Sequence, residues 1–274
     1  MKELNAREVQ LGELSILKKM AQICEDLGLR YFLMYGTLLG AIRHQGFIPW
    51  DDDIDVAMPR PDYDKLMEYL ISHEKEIYPL KLMNCNTNED YIYPISRLCD
   101  TRYHIDYQGT VDYGLGLFVD IYPLDGCGNT PEQVKALARK NRMLANLTFQ
   151  AGMKKFEASG TALWRTPIKF AMYCYAKLRG ARYFTGKLER NSKSIPYASS
   201  RLVNCTIWDV LDFGIERAWL DEYIYVPFED ASLRVPKDYD EVLKLFYGDY
   251  MQLPPEEDRV GHHYYTAYLK DEME

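Results

Sequence analysis

Four acids fall within five positions, at Asp51, Asp52, Asp53 and Asp55, with apolar residues on both sides. Trp50 precedes the run, and Ile54, Val56 and Met58 lie within and after it. A solvated acidic turn has no need of such neighbours. The segment reads instead as a lead-in to a buried strand at Asp55–Met58. In extended backbone alternate side chains share a face, so Asp51, Asp53 and Asp55 should point one way and Asp52 and Ile54 the other. Three carboxylates on one face repel each other unless a cation lies between them. Oxygen sets of this kind suit hard ions, Mg2+ above all when phosphate supplies further ligands. An EF-hand is excluded, because its glycine and closing glutamate are not at the required spacing.

The flanking sequence supplies what such a site needs. Tyr31–Tyr35 predicts a short buried strand, and Gly36-Thr37 a small-residue turn that opens a helix through Arg43. Free backbone N–H groups at a helix start cradle phosphate well. Gly-Thr alone is a weak signal; followed about sixteen residues later by Asp-x-Asp entering a strand, it becomes a specific one. A third acid, Asp120, lies inside the apolar run Leu117–Tyr122. A lone charge in a core strand is unfavourable unless paired or metal-bound, so Asp120 is either a ligand or the partner of an arginine. Asp125 reads as a cap at the strand exit.

Apolar residues make up 47% of the 274 and charged residues 27%, which excludes wholesale disorder. No apolar run approaches the roughly 18 residues of a membrane-spanning helix. The first residues alternate charge with apolar side chains rather than forming a secretory signal, which predicts a cytoplasmic protein. Six scattered cysteines without a Cys-x-x-Cys pair read as reduced, mostly buried thiols. The net charge of −8 hides a split: residues 139–193 hold 13 Lys/Arg against two acids, so the rest carries −19. Such asymmetry points to an anionic partner. Within it, residues 162–179 mix bases with large apolar residues, as an interfacial helix on anionic lipid would, or as a core helix with a basic solvent face. Nucleic acid is not expected, because the remainder is acidic and no recognition motif is present.

Periodicity predicts further elements: helices at 9–27, 61–72, 131–150, 162–178 and 238–247, and strands at 93–98, 103–107, 117–122 and, weakly, 219–226. The fold class is α+β, a mixed β-sheet core with flanking helices and a helical insertion. One domain covers 1–274, with a core at 1–130, a helical basic segment at 131–215, and 216–274 folding back on the core.

These residues closely resemble the LicD family of phosphotransferases. The resemblance rests on GTLLGAIRHQGFIPWDDDIDVAMPR (36–60), FVDIYPLD (118–125), Phe228-Glu229, and YGDYMQLPP (247–255) with His262 beyond it. It implies a nucleotidyltransferase-like core in which Gly36 and Thr37 face nucleotide phosphates and Asp53, Asp55 and Asp120 bind Mg2+, with Mn2+ as a substitute. It also implies transfer of phosphocholine from CDP-choline to a sugar hydroxyl of a lipid-linked cell-surface glycan precursor, such as teichoic acid, at the inner face of the membrane. The same site on another phosphoalcohol or a nucleotide is the alternative, and a silent metal- or nucleotide-binding protein the non-enzymatic one. Asp51 would orient water or metal, and Glu229 and His262 belong to the substrate site. Arg43 is a phosphate clamp or a salt-bridge partner of the Asp run. His44 is a general base or neutral scaffolding, and an Asp of the run serves equally well as base. Choline would want an aromatic cage. Trp50 is a member or packs beneath the loop, with Tyr91, Tyr93, Tyr107 and Tyr113 as further members.

Overall fold

Residues 51–54 run as irregular backbone into a buried five-residue strand, and a mixed sheet is built around that strand. The computed structural model describes residues 1–88, 91–107, 113–156, 166–208, 210–259, 261 and 265–271. In chain order the elements are β1 (Lys2–Glu3), α1 (Ala6–Asp26), β2 (Phe32–Leu33), α2 (Tyr35–His44), β3 (Asp55–Pro59), α3 (Arg60–Ser72), β4 (Leu80–Met83), β5 (Ser96–Asp100), β6 (Tyr103–Tyr107) and β7 (Leu117–Gly128). They continue with α4 (Pro131–Gly152), α5 (Thr166–Arg179), α6 (Ala181–Ser192), β8 (Leu202–Asn204), β9 (Ile215–Glu216), β10 (Tyr223–Phe228), β11 (Ala231–Pro236), α7 (Tyr239–Tyr247) and β12 (Tyr265–Leu269). The chain divides into two compact units, one of residues 1–83, 96–124 and 215–274, the other of 84–95 and 125–214.

The first unit holds the strand order β2-β3-β7-β5-β4, with β3 and β7 parallel and the other pairs antiparallel. β3 and β7 are buried along their whole length, which their near-continuous apolar composition requires of central strands. Helix α1 starts at a reciprocal cap: Asn5 Oδ1 accepts from Glu8 N–H and Glu8 Oε2 from Asn5 N–H, both at 3.0 Å. It packs closely on β7, since a Cβ at Gly12 would collide with Leu117. A second sheet pairs β12 with both β1 and β6, and β10–β11 forms a hairpin.

The second unit is mainly helical. α4 carries its own reciprocal cap, between Thr130 and Gln133. β8 pairs antiparallel with the last residues of β7, Asp125 opposite Asn204. Cys127, Val134, Leu137 and Leu202 pack into a small core. Among the described residues no helix is long and apolar enough to cross a membrane.

The fold is α+β, as expected. Several details differ. The strand expected at Tyr31–Tyr35 shrinks to two residues, because Tyr35 adopts φ +51° and already belongs to α2. Gly36 and Thr37 therefore lie within the first helical turn. The strand expected at 93–98 is Ser96–Asp100, and the one near 219–226 begins at Tyr223. Asp125 is no strand-exit cap: β7 continues to Gly128, and the Asp125 carboxylate accepts from Thr206 Oγ1 at 3.4 Å. α5 starts at Thr166; residues 157–165, including Trp164 of the basic segment, lie outside the described residues.

Candidate active site

The parallel register of β3 and β7 places Asp55 directly opposite Asp120. Asp55 is 8% exposed. Its N–H donates to Thr37 Oγ1 at 2.8 Å, and its carbonyl accepts from Met34 N–H at 3.0 Å. Its carboxylate Oδ1 has no hydrogen-bond partner. Burial, and then the charges of Asp53 and Asp120, push the carboxyl well above the usual carboxylate range, against a hydrogen bond from Tyr122. Asp120 differs. Arg97 stands opposite it on β5 and grips it, Nε to Oδ1 at 2.6 Å and Nη2 to Oδ2 at 3.4 Å. The guanidinium lies over the Phe118 ring, 4.1 Å from its centre. Arg97 is thus the arginine that the sequence left as Asp120's alternative partner. Asp51, Asp52 and Asp53 are half-buried. Strict alternation of faces applies only from Asp55 onward, where the strand begins.

Among the described residues no three His, Cys, Asp or Glu side chains form a ready-made metal cage. The donor chemistry nevertheless fits a hard cation: clustered carboxylates, one of them buried with an oxygen left unbonded.

Beside the acids, the N-terminus of α2 supplies amides that its own helix cannot satisfy. The missing side chain of Gly36 admits Asp51, whose Oδ2 lies 2.9 Å from where a Cβ would stand. Thr37 faces inward and holds β3 rather than solvent. From here opens a cleft of about 520 Å³, lined by Gly36, Arg43, Trp50 and Asp51 on one side and by Tyr247, Asp249, Tyr250 and Asp258 on the other. Arg43 has no carboxylate partner among the described residues. Its Nη1 donates to the Tyr250 carbonyl at 3.0 Å and its Nε to His44 Nε2 at 3.0 Å. Desolvation and the Arg43 charge lower His44 from its ordinary range, in the same sense as its acceptor role toward Arg43. Trp50 is half-buried; it meets His44 edge-on at 6.2 Å and takes Arg259 over its ring at 5.6 Å. Burial and the charges of Asp55, Asp51 and Asp53 raise Tyr247, which places its hydroxyl in the field of the acidic run.

Other expectations fall elsewhere. Tyr91, Tyr93, Tyr107 and Tyr113 do not line this cleft; Tyr91 and Tyr93 belong to the second unit, and Tyr107 packs on Tyr265. Glu229 stands at the β10–β11 turn with φ +57°. It takes both Arg7 nitrogens, at 3.1 and 2.5 Å, and Phe47 N–H at 3.3 Å, so it clasps α1 and the loop before the acids. His262 lies outside the described residues. Burial pushes the thiols of Cys24, Cys99 and Cys127 up to about 12, leaving them inert.

Tyr247, Tyr250 and Glu13 were missed from the residues themselves. The two tyrosines arrive from 200 positions away in sequence. Glu13 did leave a signal: it lies four residues from both Val9 and Leu17, on the apolar stripe of α1, and is fully buried.

A mixed sheet with acids at a parallel strand pair, beside a helix start and an open cleft, defines a phosphotransferase built on a nucleotidyltransferase-type core. Residues 28–142 match the family described as LicD/FKTN/FKRP, nucleotidyltransferase domain. The chain is 33% identical to the lipopolysaccharide cholinephosphotransferase LicD of Haemophilus influenzae, over 98% of this chain and 100% of that protein. A stretch of 36 residues, 13% of this chain and 7% of the relative, is 50% identical to the human ribitol 5-phosphate transferase FKRP. The chain belongs to the LicD family.

Proposed function

We propose that the protein transfers phosphocholine from CDP-choline to a sugar hydroxyl of a lipid-linked glycan precursor, releasing CMP. The hydroxyl oxygen bonds to the choline-bearing phosphorus, the bridging P–O bond to CMP breaks, and the hydroxyl proton passes to an Asp of the run. The observation that carries this reading is Asp55, a buried carboxylate with a bare oxygen beside two more acids. Asp53, Asp55 and Asp120 would hold Mg2+, or Mn2+ in its place, with Arg97 orienting Asp120. The bound ion would neutralise charge on the diphosphate and its leaving oxygen. Arg43 and the α2 amides grip phosphate oxygens, a task for which a planar guanidinium is suited. His44, already accepting from Arg43, orients that clamp.

Choline is favoured over a neutral alcohol by the cleft. Trp50, Tyr247 and Tyr250 line it with aromatic rings, Trp50 already holding one cation, Arg259, and Asp51, Asp249 and Asp258 offer opposite charge, the two features that recognise a quaternary ammonium. Docking to an anionic bilayer would bring the acceptor. In the second unit α5 exposes Ile168, Phe170 and Leu178 alongside Lys169, Lys177 and Arg179. Sedimentation with anionic vesicles at two salt concentrations checks this, and absence of binding at both removes it.

The direct test is incubation with CDP-choline, Mg2+ and a glycan acceptor. CMP release with phosphocholine left on the acceptor is expected. Turnover of CDP-ribitol with indifference to CDP-choline would overturn the choline assignment, and turnover of neither would overturn the reading.

A further inference from the structure

Glu13 is a second buried acid whose position the family match does not reach, since that match begins at residue 28. It has no solvent exposure, and its Oε2 has no hydrogen-bond partner. Oε1 receives only a long bond from the Tyr265 hydroxyl, at 3.4 Å. Two contacts press this face of α1 against the acidic run. Gly12 lets the helix approach Leu117 on β7, three residues before Asp120. Gln10, one turn before Glu13, donates from Nε2 to the Asp51 carbonyl at 2.7 Å. Among the described residues, the charges that act most on Glu13 are those of Asp52, Asp53 and Asp120. A buried carboxylate with a bare oxygen, in the field of three more carboxylates, destabilises the fold unless a cation or a proton arrives. A leucine or glutamine would serve the helix better.

We propose that Glu13 is a positioning carboxylate of the divalent-cation site, supplying negative charge from α1 that the bound cation balances. The proposal rests on the reading that Asp53 and Asp55 hold Mg2+. It adds a wall to that site from a helix that precedes the matched region.

The test uses the full chain and two readouts other than activity: Mn2+ affinity from electron paramagnetic resonance titration, and melting temperature with and without Mg2+. Glu13→Gln is expected to weaken Mn2+ about 10- to 100-fold, the loss typical of removing a supporting group near a metal. Without metal the same variant is expected to melt above wild type, and the Mg2+-induced rise to shrink. Glu13→Asp, which keeps the charge, is expected to fall between the two in affinity, and it serves if the glutamine variant does not fold. Wild-type Mn2+ affinity in Glu13→Gln, with affinity lost in Asp55→Asn, would overturn the role of Glu13 alone. No Mn2+ binding by wild type would overturn the underlying metal reading and this proposal with it.

Discussion

A buried amide of the helical unit and two buried acids of the sheet unit are held in opposite ways. In the helical unit Asn141 is fully buried and fully used. Its Nδ2 donates to Ser192 Oγ at 3.0 Å and to the Thr206 carbonyl at 2.8 Å, and its Oδ1 accepts from Asn191. In the sheet unit Glu13 is just as deep and Asp55 nearly so, yet each keeps an oxygen with no partner. A neutral amide with every bond made belongs to the structure. A carboxyl left bare at the meeting of β3, β7 and α1 is tolerated for a ligand's sake, because burying a polar group without a partner costs about 1–3 kcal/mol, and more once it is charged. The contrast separates an amide that only packs from two acids that await a ligand, and it can be broken residue by residue.

The largest effect should come from Asp55→Asn. It removes charge from the strand start while keeping shape and the Thr37 bond to the backbone. Loss of about a thousandfold or more in kcat/KM is expected, the scale of removing a group that meets charge in the transition state. The melting temperature should hold or rise, since the native state no longer buries that carboxylate. Steady-state kinetics on CDP-choline and a thermal melt on the same preparation decide it. Near-wild-type turnover would return Asp55 to the structural class that Asn141 represents.

Arg97→Met sharpens the same contrast from the other side. Asp120 has the partner that Asp55 lacks, and breaking a buried ion pair from one end costs about 3–5 kcal/mol. If Asp120 also holds the cation, Mg2+ should recover part of that loss; if Arg97 is its sole purpose, Mg2+ should recover none. Chemical denaturation with and without Mg2+ reads the difference.

pH dependence follows from the raised carboxyls. Glu13 and Asp55 both lie above the ordinary carboxylate range in the folded state, chiefly through burial. The native protein therefore binds more protons than the unfolded chain once pH passes the unfolded value. Their contribution is whole below that value and is lost as pH rises through the folded one. Surface acids such as Glu229, lowered by Arg7, act in the reverse sense, so the total curve mixes both. The difference between wild type and Asp55→Asn without metal isolates the buried group: the variant should gain on wild type as pH rises above the ordinary carboxylate range. A difference that stays flat would mean that Asp55 has a counter-charge.

Much of the sheet unit was legible because its strands are short apolar runs broken by single charges. Asp55 and Asp120 stand out against Val56, Val119 and Ile121, and a charge in such company has few readings. What stayed hidden depends on distance along the chain. β12 pairs with β6 and β1, which lie more than 150 and 260 residues away, and nothing in Tyr265–Leu269 announces either partner. The far wall of the cleft, Tyr247 and Tyr250, comes from the end of α7 and the turn after it. α6 was missed although Phe184, Leu188 and Ser192 repeat at helical spacing, because Thr185, Gly186 and Ser192 lower its propensity and tertiary packing decides the matter. Glu13 was hidden differently. The stripe of α1 is legible through its apolar residues, and an acid on it carries no mark that sets it apart from a surface charge.

The smallest effect should come from Asn141→Leu, the control for everything above. Leucine fills similar volume but leaves Ser192 Oγ, the Thr206 carbonyl and the Asn191 amide without their partner. A loss of about 1–3 kcal/mol is expected, with no change in kcat/KM once corrected for the folded fraction. The same substitution logic applied to Glu13 and Asp55 predicts the reverse pair of outcomes, stability kept and function lost. If Asn141→Leu instead cost activity at full stability, the satisfied amide and the two bare carboxyls would no longer divide structure from function, and those carboxyls would lose their meaning as a sign of the cation.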